Sequence, residues 1–495
     1  MKLFLILIVT ILSFLNAFSQ DKNKNISGLI GNYTNQPILL YQCYQDTLIL
    51  SDSSTTNKQG EFRLYFNKIK NQYIETRGLF KVQLKDNQFF YLLYNNENIK
   101  LKTYYRKDQF NNFASDSLEV LSSDENEFFN DFQKLQKKKN IANFYLLKMM
   151  RLYPLTDPFH QKMVDEYKER YAQLKKFITL LKSEKVNAPL TLLMAKAYHE
   201  PVNPDWKQPD YWRDSIKAAH FFNDFDPSIK FYLYSNILVE KMNSYLKLRN
   251  NKVDKYGREV IDEMLPAKAA VSFLEKTISE KTPDYLDNFY FCLNYFLKLF
   301  NEEHKERAFI HVYDRFGKPE LGYCESENKD LKWAQEKASK IKGLQIGNKA
   351  PSFNIRIDEQ LNPTETQHQK LLSLANIEDK FTLLLFWATW CMHCNEEVPK
   401  IGKLVKQFNK NNKRNQLKVV AISLDKEPEA LISFIRKNNL THFINYSEYT
   451  GWDGEIAKKY NVFATPTMYL LDEDKKIIAK PSSIKALERS FNKIN

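Results

Sequence analysis

Two cysteines, Cys391 and Cys394, stand two residues apart between an apolar run, Phe381 to Phe386, and a helix-patterned run, Glu396 to Phe408. Strand, then Cys-x-x-Cys, then helix is the arrangement of a dithiol redox site. A cysteine in the first turn of a helix meets unpaired backbone N–H groups and the positive end of the helix dipole. Both favour a thiolate, which is the nucleophilic form. Cys391 is therefore the candidate to attack a disulfide in another molecule. Cys394 lies one turn further on, on the same face. It is the candidate to resolve the mixed disulfide, so the pair is expected to cycle between a dithiol and a Cys391–Cys394 disulfide. Half of a zinc site and a structural disulfide are the competing readings. Zinc needs two more ligands at matching spacing, and the other cysteines, Cys43, Cys292 and Cys324, stand far off and singly.

The compartment follows from the start of the chain. Lys2 is a minimal positive region, Leu3 to Leu15 is almost wholly apolar, and Ala17-Phe18-Ser19 offers small residues at the cleavage positions. Residues 1–19 read as a secretory signal peptide cut before Gln20. An uncleaved anchor is the alternative, although a membrane span needs roughly 20 apolar residues. The expectation is export to the periplasm or cell envelope, where disulfides form. Membrane contact is expected only if this segment is retained.

Composition bounds the rest. A chain of 495 residues should hold about two to four domains. At 43% hydrophobic and 14% aromatic residues it can pack cores and is not a disordered chain. The formal charge of +13 could indicate a nucleic-acid partner, but Lys and Arg are spread among acids along the whole length. We read it as a solvated surface, with weak attraction to anionic lipid as the lesser option, and expect no nucleic-acid partner, no metal and no cofactor.

Hydrophobic periodicity divides the chain. From about Asn25 to Tyr105 the period is two: Phe62, Leu64 and Phe66, then Phe80, Val82 and Leu84, then Ile99 and Leu101 alternate with polar neighbours. This predicts an antiparallel β-sandwich over residues 20–118, with Cys43 as a buried apolar residue. The polar residues from Asn111 to Asp124 suggest a linker. Asp124 with Glu127 resembles a capping box, and helical spacing follows, predicting an α-helical middle domain over 119–345. Helices are expected near Met163–Ile178, Ser215–Phe222, Ile229–Leu248, Ala267–Ser279, Tyr285–Asn301 and Asn328–Lys340. Cys292 and Cys324 could pair; the sequence leaves that open. His304 and His311 lack metal-ligand spacing and are taken as ordinary residues. The Pro- and aromatic-rich stretch Glu200 to Trp212 reads as a loop packed on the helices, with a partner-binding segment as the alternative.

From Gly347 strands and helices alternate: strand Thr382–Trp387, helix, strand Lys418–Leu424, helix Glu427–Lys437, strand Phe443–Tyr446, helix Gly454–Tyr460. A hairpin, Thr467–Leu471 with Lys476–Ala479, and a final helix close the chain. This is an α/β layer fold. Trp387 to Pro399, together with Ala464-Thr465-Pro466-Thr467 and the Ile346-Gly347-Asn348-Lys349-Ala350-Pro351 opening, resembles the thioredoxin superfamily. Within it the match is to the exported TlpA/ResA-like disulfide reductases, over residues 346–495. The resemblance implies a thioredoxin fold, a cis bond before Pro466 beside the dithiol, and substrate backbone pairing at Thr465. It also implies a catalytic role for Glu397, three residues after Cys394. Thioredoxins carry a buried Asp on the preceding strand where Leu385 stands here, and Leu385 cannot move a proton. A half-buried Glu397 on the face of Cys394 could take its proton instead.

His393, with Trp390 beside the pair, is the candidate for tuning redox poise. An imidazolium near the Cys391 thiolate stabilises the reduced form and makes the disulfide more oxidising. DsbA-type oxidases resemble this chain in carrying His here, but Met392 replaces the proline that precedes it in them. The leading reading is an exported thiol–disulfide oxidoreductase that keeps envelope redox balance as a reductase or isomerase. Its partners would be exported protein disulfides and an electron donor, for which a membrane-bound thiol–disulfide transporter is the candidate. The alternatives are a DsbA-like oxidase and a non-catalytic envelope-assembly protein that uses the fold as a scaffold. A peroxiredoxin would need Thr where Ala388 stands.

Overall fold

In the computed structural model the described residues are 24–66, 77–107, 113–183, 185–200, 205–250, 262, 264–278, 285–318, 329–363, 371–412 and 416–494. The leader reading of residues 1–19 and Cys324 lie outside them. The chain divides into two compact units, Met1–Phe296 and Leu297–Asn495.

The first unit opens with two four-stranded sheets. Strands β1 (Asn25–Gly31), β4 (Glu61–Tyr65), β7 (Ile99–Tyr104) and β8 (Glu119–Ser122) form one, in the order β4-β1-β7-β8. Strands β2 (Pro37–Tyr44), β3 (Thr47–Thr55), β5 (Arg77–Gln83) and β6 (Phe89–Asn95) form the other, in the order β3-β2-β5-β6. The alternating residues Phe62, Leu64, Phe80, Val82, Ile99 and Leu101 point into one shared apolar core. Two expectations need correction. The sandwich is not wholly antiparallel, because β1 runs parallel to β7 while pairing antiparallel with β4. Turn signals report hairpins between neighbouring strands and cannot show that the first strand inserts beside the seventh. The polar stretch before Asp124 is not simply a linker either: Glu119–Ser122 pairs with β7 as an edge strand.

Helices follow at Asp124–Met150, Pro158–Leu181, Pro189–Ala197, Asp210–Ala219, Ile237–Asn250, Met264–Thr277 and Tyr285–Glu302. The first cap sits one residue earlier than the capping box suggested: the Ser123 hydroxyl accepts from Asn126 N–H at 3.0 Å. The single helix expected at Ile229–Leu248 is broken. A 3₁₀ turn, Lys230–Tyr234, ends at Ser235, whose extended backbone and hydroxyl bond to the Tyr232 carbonyl at 3.0 Å stop it before Ile237. Cys43 is a buried free thiol, pushed up to about 12 by burial, as an apolar core residue should be. Cys292 is likewise free and fully buried.

The second unit carries two helices, Glu306–Val312 and Lys329–Gly343, ahead of the α/β domain. Asn461 links them to it, donating to Glu306 Oε1 and accepting from Lys337 Nζ, both at 2.6 Å. The short strands β9 (Asn354–Arg356) and β10 (Leu371–Ser373) pair apart from the main sheet. That sheet holds β11 (Phe381–Trp387), β12 (Leu417–Ser423), β13 (Ile444–Ser447), β14 (Thr467–Leu471) and β15 (Ile477–Ala479), in the order β13-β12-β11-β14-β15. β11 runs parallel to β12 and antiparallel to β14.

Every residue of β11 is buried, because both faces of the sheet are covered. Leu383, Leu385 and Trp387 pack with Val398, Ile401 and Val405 of the helix Met392–Asn411, with Leu431 of Pro428–Lys437, and with Leu487 of Ile484–Ile494. Leu384 and Phe386 point the other way, onto Tyr460, Tyr469 and Ile355. The period of two thus sorts one strand's side chains into two apolar layers. Gly402 sits in the active-site helix where it meets Leu440: a Cβ there would lie 2.8 Å from Leu440 Cδ2. Pro399, inside the same helix, lacks the N–H of a regular turn. Among the described residues no helix is long and apolar enough to cross a membrane.

Candidate active site

The site forms where central strand β11 ends and the helix begins. Cys391 is the N-cap of Met392–Asn411, with extended backbone (φ −84°, ψ 112°). Its Sγ accepts from the Cys394 N–H at 3.2 Å. The sulfur thus takes one of the orphan donors of the first turn, the contact that stabilises negative charge on it. The same Sγ donates to the Thr465 carbonyl at 3.3 Å. The Thr465–Pro466 bond is cis, as the resemblance implied.

The two sulfurs have different surroundings. Cys391 retains 9% of its surface, whereas Cys394 is fully buried beside Leu385 and Val398. Burial, reinforced by the neighbouring Cys391 sulfur, pushes the Cys394 thiol up to about 12. At neutral pH it is a protonated thiol that needs a proton acceptor before it can act. Both cysteines are free thiols here, the dithiol form of the pair.

Each expected residue has a definite place. His393 and Glu396 are exposed on the first turns, and Glu397 is half-buried one turn after Cys394. Leu385 lies in the apolar layer that covers Cys394, where it can supply no proton acceptor. Trp390 is 55% exposed, with its ring centroid 5.8 Å from that of Trp452, itself 41% exposed. With Met392 at 77% exposure, these side chains give the ground around Cys391 an apolar, accessible surface. Thr465 and Pro466 are half-buried at the head of β14.

One residue escaped the sequence reading. Asp425, just past β12, is 3% exposed. Its carboxylate accepts from Thr389 N–H at 3.1 and 3.2 Å, from Thr389 Oγ1 at 2.6 Å, and from Ser423 Oγ at 2.5 Å. Thr389 sits two residues before Cys391, so Asp425 anchors the loop that carries the first sulfur. Leu424 N–H adds a bond to the Trp387 carbonyl at 2.8 Å. A solitary Asp in Leu424-Asp425-Lys426 gives no sign that it binds a loop 36 residues upstream. Among the described residues no group of three His, Cys, Asp or Glu could hold a metal ion.

Residues 346–480 match the AhpC/TSA family. Thiol-disulfide oxidoreductase ResA of Bacillus cereus is 29% identical over 140 residues, which span 28% of this chain and 71% of that protein. The thioredoxin-like protein YneN of Bacillus subtilis is 32% identical over 142 residues, 28% of this chain and 72% of that protein. A solved thiol-disulfide oxidoreductase from Bacteroides fragilis is 28% identical and covers 30% of this chain and 100% of that one, with a TM-score of 0.25. Through its C-terminal α/β domain the chain belongs to the thioredoxin-like family of thiol–disulfide oxidoreductases.

Proposed function

We propose that the chain is an exported thiol–disulfide oxidoreductase that reduces or isomerises disulfides of exported proteins through its Cys-Met-His-Cys dithiol. One observation carries the reading: the partly accessible Cys391 sulfur takes the Cys394 N–H at the helix start while a fully buried, protonated Cys394 waits one turn behind it. The Cys391 thiolate attacks one sulfur of the substrate disulfide. The other substrate sulfur leaves as a thiolate and gains a proton. Glu397 takes the Cys394 proton, and Cys394 attacks Cys391, releasing the second substrate thiol. The substrate gains two electrons and two protons, and the enzyme is left with a Cys391–Cys394 disulfide. A donor thiol in the envelope, for which a membrane-bound transporter is the candidate, must then reduce it.

Thr465 and Pro466 would hold the substrate backbone, and Trp390 its apolar side chains. The proposed export rests on the leader pattern of residues 1–19. A second direction of electron flow is favoured by one residue, His393, whose imidazolium near Cys391 would raise the potential. The test is reduction of insulin by the purified chain alongside Cys391→Ser and Cys394→Ser. Loss of turnover in both supports the proposal; unchanged rates in both refute it. A redox titration then assigns direction: a potential near roughly −270 mV indicates a reductase and one near roughly −120 mV an oxidase.

A further inference from the structure

The helical part of the first unit encloses a cleft of about 580 Å³. Ligand pockets run from roughly 300 to 1,000 Å³, so the volume suits a small molecule. Helical periodicity builds it. Gln136, Lys139, Asn140 and Asn143 stand at three- and four-residue spacing on Asp124–Met150, and the stripe they make lines the cleft. Arg213 and Lys217 of Asp210–Ala219 line a second side, and Lys241 and Ser244 of Ile237–Asn250 a third. An inward helix face is ordinarily apolar. Here it is polar and charged, with six Lys and Arg side chains in the lining against four Asp and Glu.

Some of the polar groups find no partner in the protein. Gln136 is 9% exposed, yet neither atom of its side-chain amide has a hydrogen-bond partner. The same holds for Asn143 Oδ1, His199 Nε2 and Trp206 Nε1, all on residues of the cleft wall. Buried polar atoms in native proteins are nearly always satisfied, so these atoms, which take no partner from the protein, are available to a bound molecule or to water.

The charges point to its sign. Lys217 pairs with Glu200 at 3.0 Å, Arg213 pairs with Asp210, and Tyr198 donates to Glu240 at 2.5 Å. Among the described residues Lys139 and Lys241 make no ion pair or hydrogen bond. Lys241 lies instead over aromatic rings, 5.3 Å from the centroid of Phe221 and 5.4 Å from that of Tyr198. The surroundings read the same way. Burial pushes the Glu200 carboxyl up, but Lys217, Lys139 and Lys241 outweigh it and hold the group below the usual carboxylate range. Burial pushes the Lys241 ammonium down to about 8.

We propose that this cleft binds a small organic anion: an oxyanion held by Lys139 and Lys241, on an aromatic body framed by Tyr198 and Phe221, with the Gln136 amide and Trp206 N–H as further partners. The cleft belongs to the first unit and the dithiol to the second. A cleft that merely holds water would leave these lysines exchangeable for any polar residue and would show no saturable uptake.

The test is calorimetric titration of the full chain with indole-3-acetate, phenyl phosphate and the uncharged indole-3-acetamide. The three share an aromatic body and differ in charge. At least one anion should bind saturably, more tightly than the amide by about tenfold or more, since a charge-assisted hydrogen bond contributes that much. Lys241→Met and Lys139→Met should each weaken the anion by about tenfold and leave the amide unchanged. Thermal unfolding and insulin reduction by the same variants should match the parent, which shows that the fold is intact. The proposal is overturned if neither anion binds saturably at millimolar concentration, if the amide binds as tightly as the carboxylate, or if both substitutions leave the anion's affinity unchanged. None of these outcomes bears on the dithiol reading.

Discussion

The Cys391 sulfur lies 3.3 Å from the Thr465 carbonyl and 3.2 Å from the Cys394 amide, while Cys394 itself has no exposed surface. One sulfur is held between the helix start and the loop before β14; the other is sealed behind it.

That asymmetry predicts selective chemistry. Brief treatment of the reduced chain with iodoacetamide near neutral pH should alkylate Cys391 and spare Cys394. The Cys394 thiol is buried and pushed up to about 12, so it offers almost no thiolate at that pH. Peptide mass spectrometry reads the result. Equal labelling of both cysteines in the folded chain would contradict the geometry.

The same shift gives a pH prediction for Glu397. A Cys394 thiol whose pKa is raised is protonated at neutral pH, and its thiolate fraction grows as pH rises toward about 12. If Glu397 accepts the proton, Glu397→Gln should slow release of the mixed disulfide at pH 7 by about a hundredfold, the usual size of a general-base contribution. The deficit should shrink as pH rises, because hydroxide takes over the proton transfer. Stopped-flow measurement of the resolving step across pH checks this. Parallel profiles for the two proteins would remove Glu397 from the mechanism.

Asp425 should matter for stability. Asp425→Ala leaves the half-buried Thr389 N–H and Oγ1 and the buried Ser423 Oγ without their acceptor. The expected loss is about 2–4 kcal/mol in denaturant unfolding, since each buried donor stranded in this way costs about 1–3 kcal/mol and relaxation recovers part. Asp425→Asn keeps one acceptor oxygen and should lose less. A loss for the alanine variant under about half a kcal/mol, the range of an ordinary surface change, would show that the loop is held by other contacts.

Local signals made much of the C-terminal domain legible. The apolar run Phe381 to Phe386 is a buried strand because both of its faces are covered, and Thr467–Leu471 was bounded by Pro466 and by the Asp472–Asp474 turn. The dithiol was legible for the same reason, since Cys391 and Cys394 are neighbours in sequence and their helix supplies the geometry. What escaped depends on residues distant in the chain. Asp425 meets Thr389 across a loop and a strand, and β1 finds β7 rather than a hairpin partner. The polar stripe through Gln136, Lys139 and Asn143 carries no sequence sign of a cleft, because only the packing of three helices turns that face inward. Ser235 interrupted a periodic pattern with one hydroxyl that periodicity does not weigh.

The central claim is that Cys391 attacks and Cys394 resolves. Mixing the full chain carrying Cys394→Ser with a protein disulfide, then resolving the products by non-reducing mass spectrometry, tests it most directly. The account predicts a stable mixed disulfide through Cys391, released by added thiol, and no adduct on the Cys391→Ser variant. An adduct formed equally by both variants, or by neither, would contradict it.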